Sequence, residues 1–445
     1  MRIKMRVFIV LKEKIKEFKK IWKQIFFVLL GLIIFLTGAF SGYFYFQKKS
    51  QKVLQEDVYL GFISEVYDII KNNYWQKISD EQLIQLFRLG AESFLGEVLY
   101  FKARDKDALQ KELFNLWKDK KEKEKKELVT FLADFVLSNL EPKGRSRLYT
   151  TLDTQQLKNM VQNVDKNVDL YQVLGVERTA SLEKIQEVYQ EKTEKLSKEK
   201  SQEAKNKLSQ LERAYQALKD PTRRAIYDQF GVEPTVTAKI IKPNVLHLKI
   251  RRISPTTLDE LKTVTEAVDD QEALDSLILD LRGNIGGSLD ILPYLLGPFI
   301  GPGQYAYELF EHGEYIPFKT QTGWLPSLIR YKRVIILIDE NTQSSAELMA
   351  SVLKKYNVGV LLGTTTRGWG TIEKVFEVTH QIDPKEKYSV FLVRGLTLRE
   401  DNLPIEGRGV DPLISIKDSN WEKQLFVYFR DQDFIEAVKE VIENY

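Results

Sequence analysis

Residues 333–363 run through a strand, a polar turn, a helix and a second strand, and this order commits the later half of the chain to an α/β fold. The run RVIILID is apolar throughout, as a strand covered on both faces must be. It enters the turn Glu340-Asn341-Thr342-Gln343-Ser344-Ser345-Ala346-Glu347, after which LMASVLKKY has helical spacing. VGVLLG follows as the second strand, and TTTRGWG leaves it as a loop. Two more strands are expected at residues 245–253 and 277–281, and a terminal helix at 433–443.

The strand LILDL at 277–281 runs into Arg282-Gly283-Asn284-Ile285-Gly286-Gly287. Glycines in such a loop allow close approach of the backbone to another group. These segments together resemble the S41 family of carboxyl-terminal processing, or tail-specific, serine peptidases. Ser344-Ser345-Ala346-Glu347 is similar to the family's Ser-Ala-Ser-Glu, residues 282–287 to its Arg-x-Asn-Pro-Gly-Gly loop, and residues 405–412 to its closing Gly-x-Gly-Val-x-Pro stretch. The resemblance implies a ClpP/crotonase-like α/β core with Ser344 as nucleophile and Gly286, Gly287 and Ser345 around the oxyanion.

The family places a lysine base about twenty-five positions after the serine, in a Phe-Gly-Lys-Gly loop. Here that position is Trp369, in Arg367-Gly368-Trp369-Gly370, and the glutamine expected four residues later is Glu373. A serine hydroxyl is a weak nucleophile until a base takes its proton, and a desolvated lysine does this because burial lowers its pKa. An indole N–H only donates. His247 is a candidate substitute base by chemistry, since relatives of the tricorn type use histidine. Lys374 lies close in sequence, but strand alternation sets it on the face opposite Glu373.

Upstream, residues 50–165 read as helical, with Phe62, Val66, Ile69 and Ile70 at helical spacing and a capping box at Ser79-Asp80-Glu81-Gln82. Residues 168–232 are similar to a J domain in the opening Leu170-Tyr171-Gln172-Val173-Leu174-Gly175-Val176, the Asp220-Pro221 break and the closing Tyr227-Asp228-Gln229-Phe230-Gly231. J domains carry His-Pro-Asp between their long helices to engage Hsp70, and the corresponding residues here are Ser197-Lys198-Glu199. The resemblance therefore implies a degenerate J-like domain without an Hsp70 partner, standing where processing peptidases carry a PDZ domain. The peptidase-like core occupies 235–445.

The 66 basic and 63 acidic residues nearly cancel, so no nucleic-acid partner is expected. Cysteine is absent, and His247, His312 and His380 are scattered without ligand spacing, so neither a metal nor another cofactor is expected. Charge is concentrated in residues 1–24, with nine Lys/Arg against Glu13 and Glu17. The uncharged run IFFVLLGLIIFLTGAFSGYFYF at 25–46 follows directly and is long enough to span a bilayer as a helix. The sequence thus describes a single-pass membrane protein with its N-terminus in the cytoplasm and its bulk outside it.

Three functions follow from these residues. The chain is a pseudopeptidase that binds extended peptides or protein C-termini, an active endopeptidase with a substitute base, or a scaffold with a vestigial cleft; a homo-oligomeric state stays open. The orientation is testable directly. Protease added outside spheroplasts should digest epitopes placed after Ser50, and their protection would overturn the assignment.

Overall fold

The computed structural model describes residues 57–165, 167–199, 202–270 and 273–444. The basic segment 1–24 and the expected membrane helix 25–46 lie outside these residues. Among the described residues no helix is long and apolar enough to cross a membrane.

Four helices open the described chain: Val58–Asn73, Asp80–Leu95, Lys106–Trp117 and Glu122–Ser138. Polar caps set their starts, with Asp57 accepting from Leu60 N and Ser79 exchanging hydrogen bonds with Gln82 in the expected capping box. Phe62, Val66 and Ile70 form one buried face, packed with Phe87, Leu113, Trp117 and Leu132. The same cluster takes in Tyr388, Val390 and Leu392 from the far end of the chain. The helical layer is therefore bound to the core sheet by apolar burial.

The helical pattern does not continue unbroken to 165. Residues Arg147–Tyr149 form a short strand, β1, paired antiparallel with a strand at Ser389–Thr397. Tyr149 stacks on Phe391 with ring centroids 4.5 Å apart, and Arg147 pairs with Asp134 at 2.8 Å. Three residues are too few to carry a periodic signal, so the strand is specified by these distant partners. A helix at Thr151–Val161, capped by Thr150, follows.

Residues Leu170–Leu174, Leu182–Ser197, Gln202–Leu218 and Pro221–Phe230 form four helices around a small core of Leu170, Tyr171, Leu174, Ile185, Leu211 and Leu218. This unit is an insertion closed at its base, where Val164 bridges Val232 and Asn163 exchanges hydrogen bonds with Glu233. Arg213 fastens it by pairing with Glu233 at 2.5 Å and with Asp165 at 2.9 Å.

The core holds two sheets. In chain order its strands are β2 (Val236–Lys242), β3 (Val245–Ile250), β4 (Ser276–Asp280), β5 (Tyr305–Glu311), β6 (Glu314–Lys319), β7 (Arg333–Ile338), β8 (Val360–Gly363), β9 (Thr371–Glu377), β10 (Ser389–Thr397) and β11 (Ile414–Ser415). The six-stranded sheet has the order β11-β8-β7-β4-β3-β2, parallel except for the antiparallel hairpin of β2 on β3. The second sheet is antiparallel, in the order β1-β10-β5-β6, with β9 also on β10. One face of the six-stranded sheet is covered by helices Thr257–Glu266, Leu292–Ile300 and Ser345–Lys355, and the other by Gln432–Asn444 through Phe434, Ile435, Val438 and Val441.

On that second face a charged cluster is buried. Asp280, fully inaccessible, meets Arg282 at 2.8 Å, His247 Nε2 at 3.1 Å and Lys249 at 3.6 Å, and Arg282 continues to the Val441 carbonyl at 3.1 Å. Burial alone would raise the Asp280 carboxyl, but Lys249, His247 and Arg282 outweigh it and hold the group well below the ordinary carboxylate range. A depressed carboxyl contributes stability that is present above its unfolded value and is lost as pH falls. Asp280→Asn should therefore cost about 3–5 kcal/mol at neutral pH, because it leaves buried cations unbalanced. In urea titrations the gap from wild type should shrink as pH drops below about 4.

Candidate active site

The turn after β7 is stitched to the glycine loop after β4. Asp339 Oδ1 accepts from Gly283 N at 2.9 Å, the Thr342 hydroxyl donates to the Leu281 carbonyl at 3.0 Å, and Gln343 N donates to the Asn284 carbonyl at 2.8 Å. Asn284 is fully buried, with its amide on the Ile250 carbonyl and its Oδ1 on Gly286 N at 2.9 Å. Two loops that are distant in sequence are thereby fixed at the ends of adjacent parallel strands.

Gly286 has φ +81°, and a methyl group there would lie 2.8 Å from both Ser344 Cβ and the Gln343 carbonyl. Gly287, at φ +142°, would drive its methyl to 2.0 Å from the Ile253 carbonyl. Only glycine fits either place. The Gly286 N–H is already engaged by Asn284, so Gly287 and Ser345 supply the backbone N–H groups beside Ser344 that carry no hydrogen bond among the described residues. Of the three expected oxyanion donors, two remain available.

Ser344 caps the helix Ser345–Lys355 with φ 56° and ψ −129°, a conformation that costs a non-glycine residue about 1–3 kcal/mol. The conformation is held by Glu347, one turn into the helix and fully buried. Glu347 Oε2 accepts from Ser344 N at 2.9 Å and Trp369 N at 2.8 Å, and Oε1 accepts from the Thr366 hydroxyl at 2.6 Å and Gly368 N at 2.7 Å. Burial pushes this carboxyl upward in pKa, against the pull of those four donors. A single oxygen thus joins the backbone of the serine to that of the residue in the lysine position.

The Trp369 ring lies under the Arg145 guanidinium, 3.6 Å from its centroid, and its Nε1 reaches Glu373 Oε1 at 3.4 Å. Arg145 is held by Glu406 at 3.0 and 3.1 Å, and Glu406 accepts in turn from Gly370 N at 2.8 Å. Glu373 accepts from the Thr371 hydroxyl at 2.5 Å, and burial raises its pKa. Ser344, Ser345, Gly286, Gly287, Trp369 and Glu373 are therefore brought together. Lys374 is exposed, as alternation in β9 requires.

His247 is not brought to the serine. It sits in the middle of β3, buried against Asp280 on the face covered by Gln432–Asn444, whereas Ser344 opens a helix on the other face. Two participants escaped sequence reasoning. Glu347 had a signal, a carboxylate three residues inside a serine-capped helix; Arg145, from the loop before β1, had none.

This strand–loop–helix arrangement defines a serine-peptidase-type domain, and comparison with known proteins names its class. Residues 244–416 match Peptidase family S41, and residues 169–228 match the DnaJ domain. The chain thus carries an S41 peptidase domain of the CtpA type together with a J domain, in a mixed α/β fold with a helical N-terminal region. It is 27% identical over 199 residues to the carboxy-terminal processing protease CtpA of Bacillus subtilis, covering 44% of this chain and 40% of that protein. It is 39% identical over 67 residues to the chaperone protein DnaJ of Thermosipho africanus, covering 14% and 18%. Each match spans less than half of the relative's length. Among solved structures, the photosystem II D1 C-terminal processing protease is similar at 15% identity, with a TM-score of 0.34 over 42% of this chain and 50% of that one. A lipoprotein from Streptococcus agalactiae is similar at 13% identity, with a TM-score of 0.40 over 81% and 99%.

The Glu347 clamp accepts from donors on both oxygens, so an amide there must turn an NH2 toward other donors. Glu347→Gln should lose about 1–3 kcal/mol of stability. Hydrogen exchange at the Gly368 and Trp369 amides should accelerate in the variant, and unchanged protection would show that the loop is held by other contacts.

Proposed function

We propose that this chain is a membrane-anchored, extracytoplasmic homologue of the carboxyl-terminal processing peptidases that binds extended peptides and has lost efficient cleavage. The observation that carries the reading is the Trp369 side chain, enclosed by Arg145 and Glu373 at the position where the family's base belongs. Tryptophan takes no proton, arginine stays protonated, and no lysine, histidine or carboxylate forms a hydrogen bond to Ser344 Oγ among the described residues. Peptide binding makes no such demand, because the Gly287 and Ser345 N–H groups do not depend on a base. The charge asymmetry across residues 1–46 supports the anchor and its orientation.

The J domain is read as a docking or spacing module without Hsp70 activity. Ser197 ends its helix with its hydroxyl on the Glu194 carbonyl, and Lys198 pairs with Glu194 at 3.0 Å, so the tripeptide position is occupied by ordinary helix-end surface chemistry.

Turnover of unstructured polypeptides by the purified wild-type chain, measured beside Ser344→Ala, decides the catalytic part. Both should give the same low rate. Robust cleavage that vanishes in Ser344→Ala would establish an active peptidase with another base, since loss of a serine hydrolase's base alone removes most of its rate advantage.

A further inference from the structure

The helical layer carries an exposed segment between its second and third helices, and hydrogen bonds hold it in place. Residues 98–104 alternate: Leu99, Phe101 and Ala103 pack on the apolar cluster of the layer, while Val98, Tyr100, Lys102 and Arg104 face outward. Leu99 N donates to Glu92 Oε1 at 3.0 Å and Lys102 N to Glu112 Oε1 at 2.6 Å, which fixes the outward set. Val98 is 70% exposed and Tyr100 89%, and among the described residues no large apolar side chain is more exposed than Tyr100. Burial elsewhere in the layer does not account for this pair.

Cations flank these two residues. The side chains of Lys102 and Arg104 form no hydrogen bond or ion pair among the described residues, and neither do those of Lys118, Lys120 and Lys121 in the turn after the helix Lys106–Trp117. Residues 97–121 hold seven Lys/Arg against five Asp/Glu, and two of those acids serve the frame, Asp105 as a helix cap and Glu112 on Lys102 N. Tyr59, in the first turn of the first helix, donates to Glu122 Oε2 at 3.0 Å, so the lysine turn lies beside the start of the described chain, where Val58 is also exposed. Only residues 47–57 separate Val58 from the uncharged run 25–46, a length of at most about 40 Å when fully extended. On the membrane-anchored reading, this end of the layer is therefore tethered close to the bilayer. A tyrosine and a valine beside outward Lys and Arg have the composition of a headgroup boundary, where the ring and the apolar side chain enter the interface and the cations meet lipid phosphates.

We propose that this face of the helical layer docks on anionic phospholipid headgroups, with Val98 and Tyr100 seated at the interface and Lys102, Arg104 and the 118–121 turn on the lipid phosphates. The inference rests on the anchor reading for its tether, but on different residues for the contact itself. Because the layer is packed on β10, docking also fixes how the Ser344 cleft faces the membrane.

The test uses the full chain, which has no cysteine, so that Val98→Cys, Tyr100→Cys and Val427→Cys each carry one environment-sensitive fluorophore. Val427 is the control: it is 74% exposed, on the helix Trp421–Phe429, which packs with the six-stranded sheet. In vesicles of mixed phosphatidylcholine and phosphatidylglycerol, quenching by doxyl-labelled lipid at 98 and 100 should exceed that at 427 by at least about threefold, and quenching by aqueous iodide should follow the reverse order. Vesicles of phosphatidylcholine alone, or Lys118→Glu combined with Lys120→Glu and Lys121→Glu, should cut the lipid quenching by about half. Resistance to alkaline carbonate extraction reads the anchor separately. A carbonate-resistant chain whose labels at 98 and 100 meet iodide as freely as the label at 427 would overturn the docking face and leave the anchor standing. Lipid quenching in a chain that carbonate removes would support the docking face and sink the anchor. Shielding from iodide without lipid quenching would mean that a second copy or another protein covers the face, which refutes the lipid assignment. Lipid quenching indifferent to both lipid charge and the lysine substitutions would refute the headgroup contact.

Discussion

The carboxylate of Glu347 is the interaction on which the site depends. It is fully buried, and every partner it has is a donor: two backbone amides and a hydroxyl from residues 366–369 and the amide of Ser344. A buried charge is tolerated when it is so completely surrounded by hydrogen bonds. In return it sets two otherwise independent loops in register and holds Ser344 in a backbone conformation that a free chain would leave. The geometry of the cleft is thus maintained by a buried carboxylate whose hydrogen bonds tie the Ser344 turn to the loop 366–369.

The shape of this cleft is thus set independently of the side chain at position 369. The loop bearing Trp369 is positioned through its main chain, by Glu347 on one side and by the segment 405–410 on the other, where Gly407 N meets the Gly368 carbonyl at 2.9 Å. A side-chain change at 369 therefore leaves the loop's course intact. Beyond the loop, Arg145 reaches over from the helical region to stack on the indole. An arginine–indole stack is itself favourable by about 0.5–2 kcal/mol, so the space beside Trp369 is filled by a stabilising contact.

How much of this was legible in the sequence depended on the range of the interactions involved. The strands at 277–281, 333–339 and 358–363 announce themselves through local apolar patterns and appear within one or two residues of expectation, while the helix after Ser344 starts three residues before the expected LMASVLKKY run. Ser344, the two glycines, Trp369 and Glu373 could be singled out because each sits in a short recognisable segment, and the fold brings these segments together. The strand Arg147–Tyr149 and the Arg145 stack were not, because each is defined by partners far along the chain that leave no periodic trace. His247 fell between these cases: its chemistry is visible in the sequence, but the face of the sheet it occupies is set by the parity of β3 and its pairing with β4.

The packing of the first helices against β10 also fixes an order of events in biosynthesis. Phe62, Val66 and Ile70 are sheltered by Tyr388, Val390 and Leu392, and the ion pair of Lys126 with Asp383 spans 257 positions. Nearly the whole chain must leave the ribosome before that apolar face is covered, whereas the inserted J domain closes on its own local contacts much sooner. This helical face is therefore made before its cover and completed only after it, and it waits in an exposed state that invites either an escort or self-association.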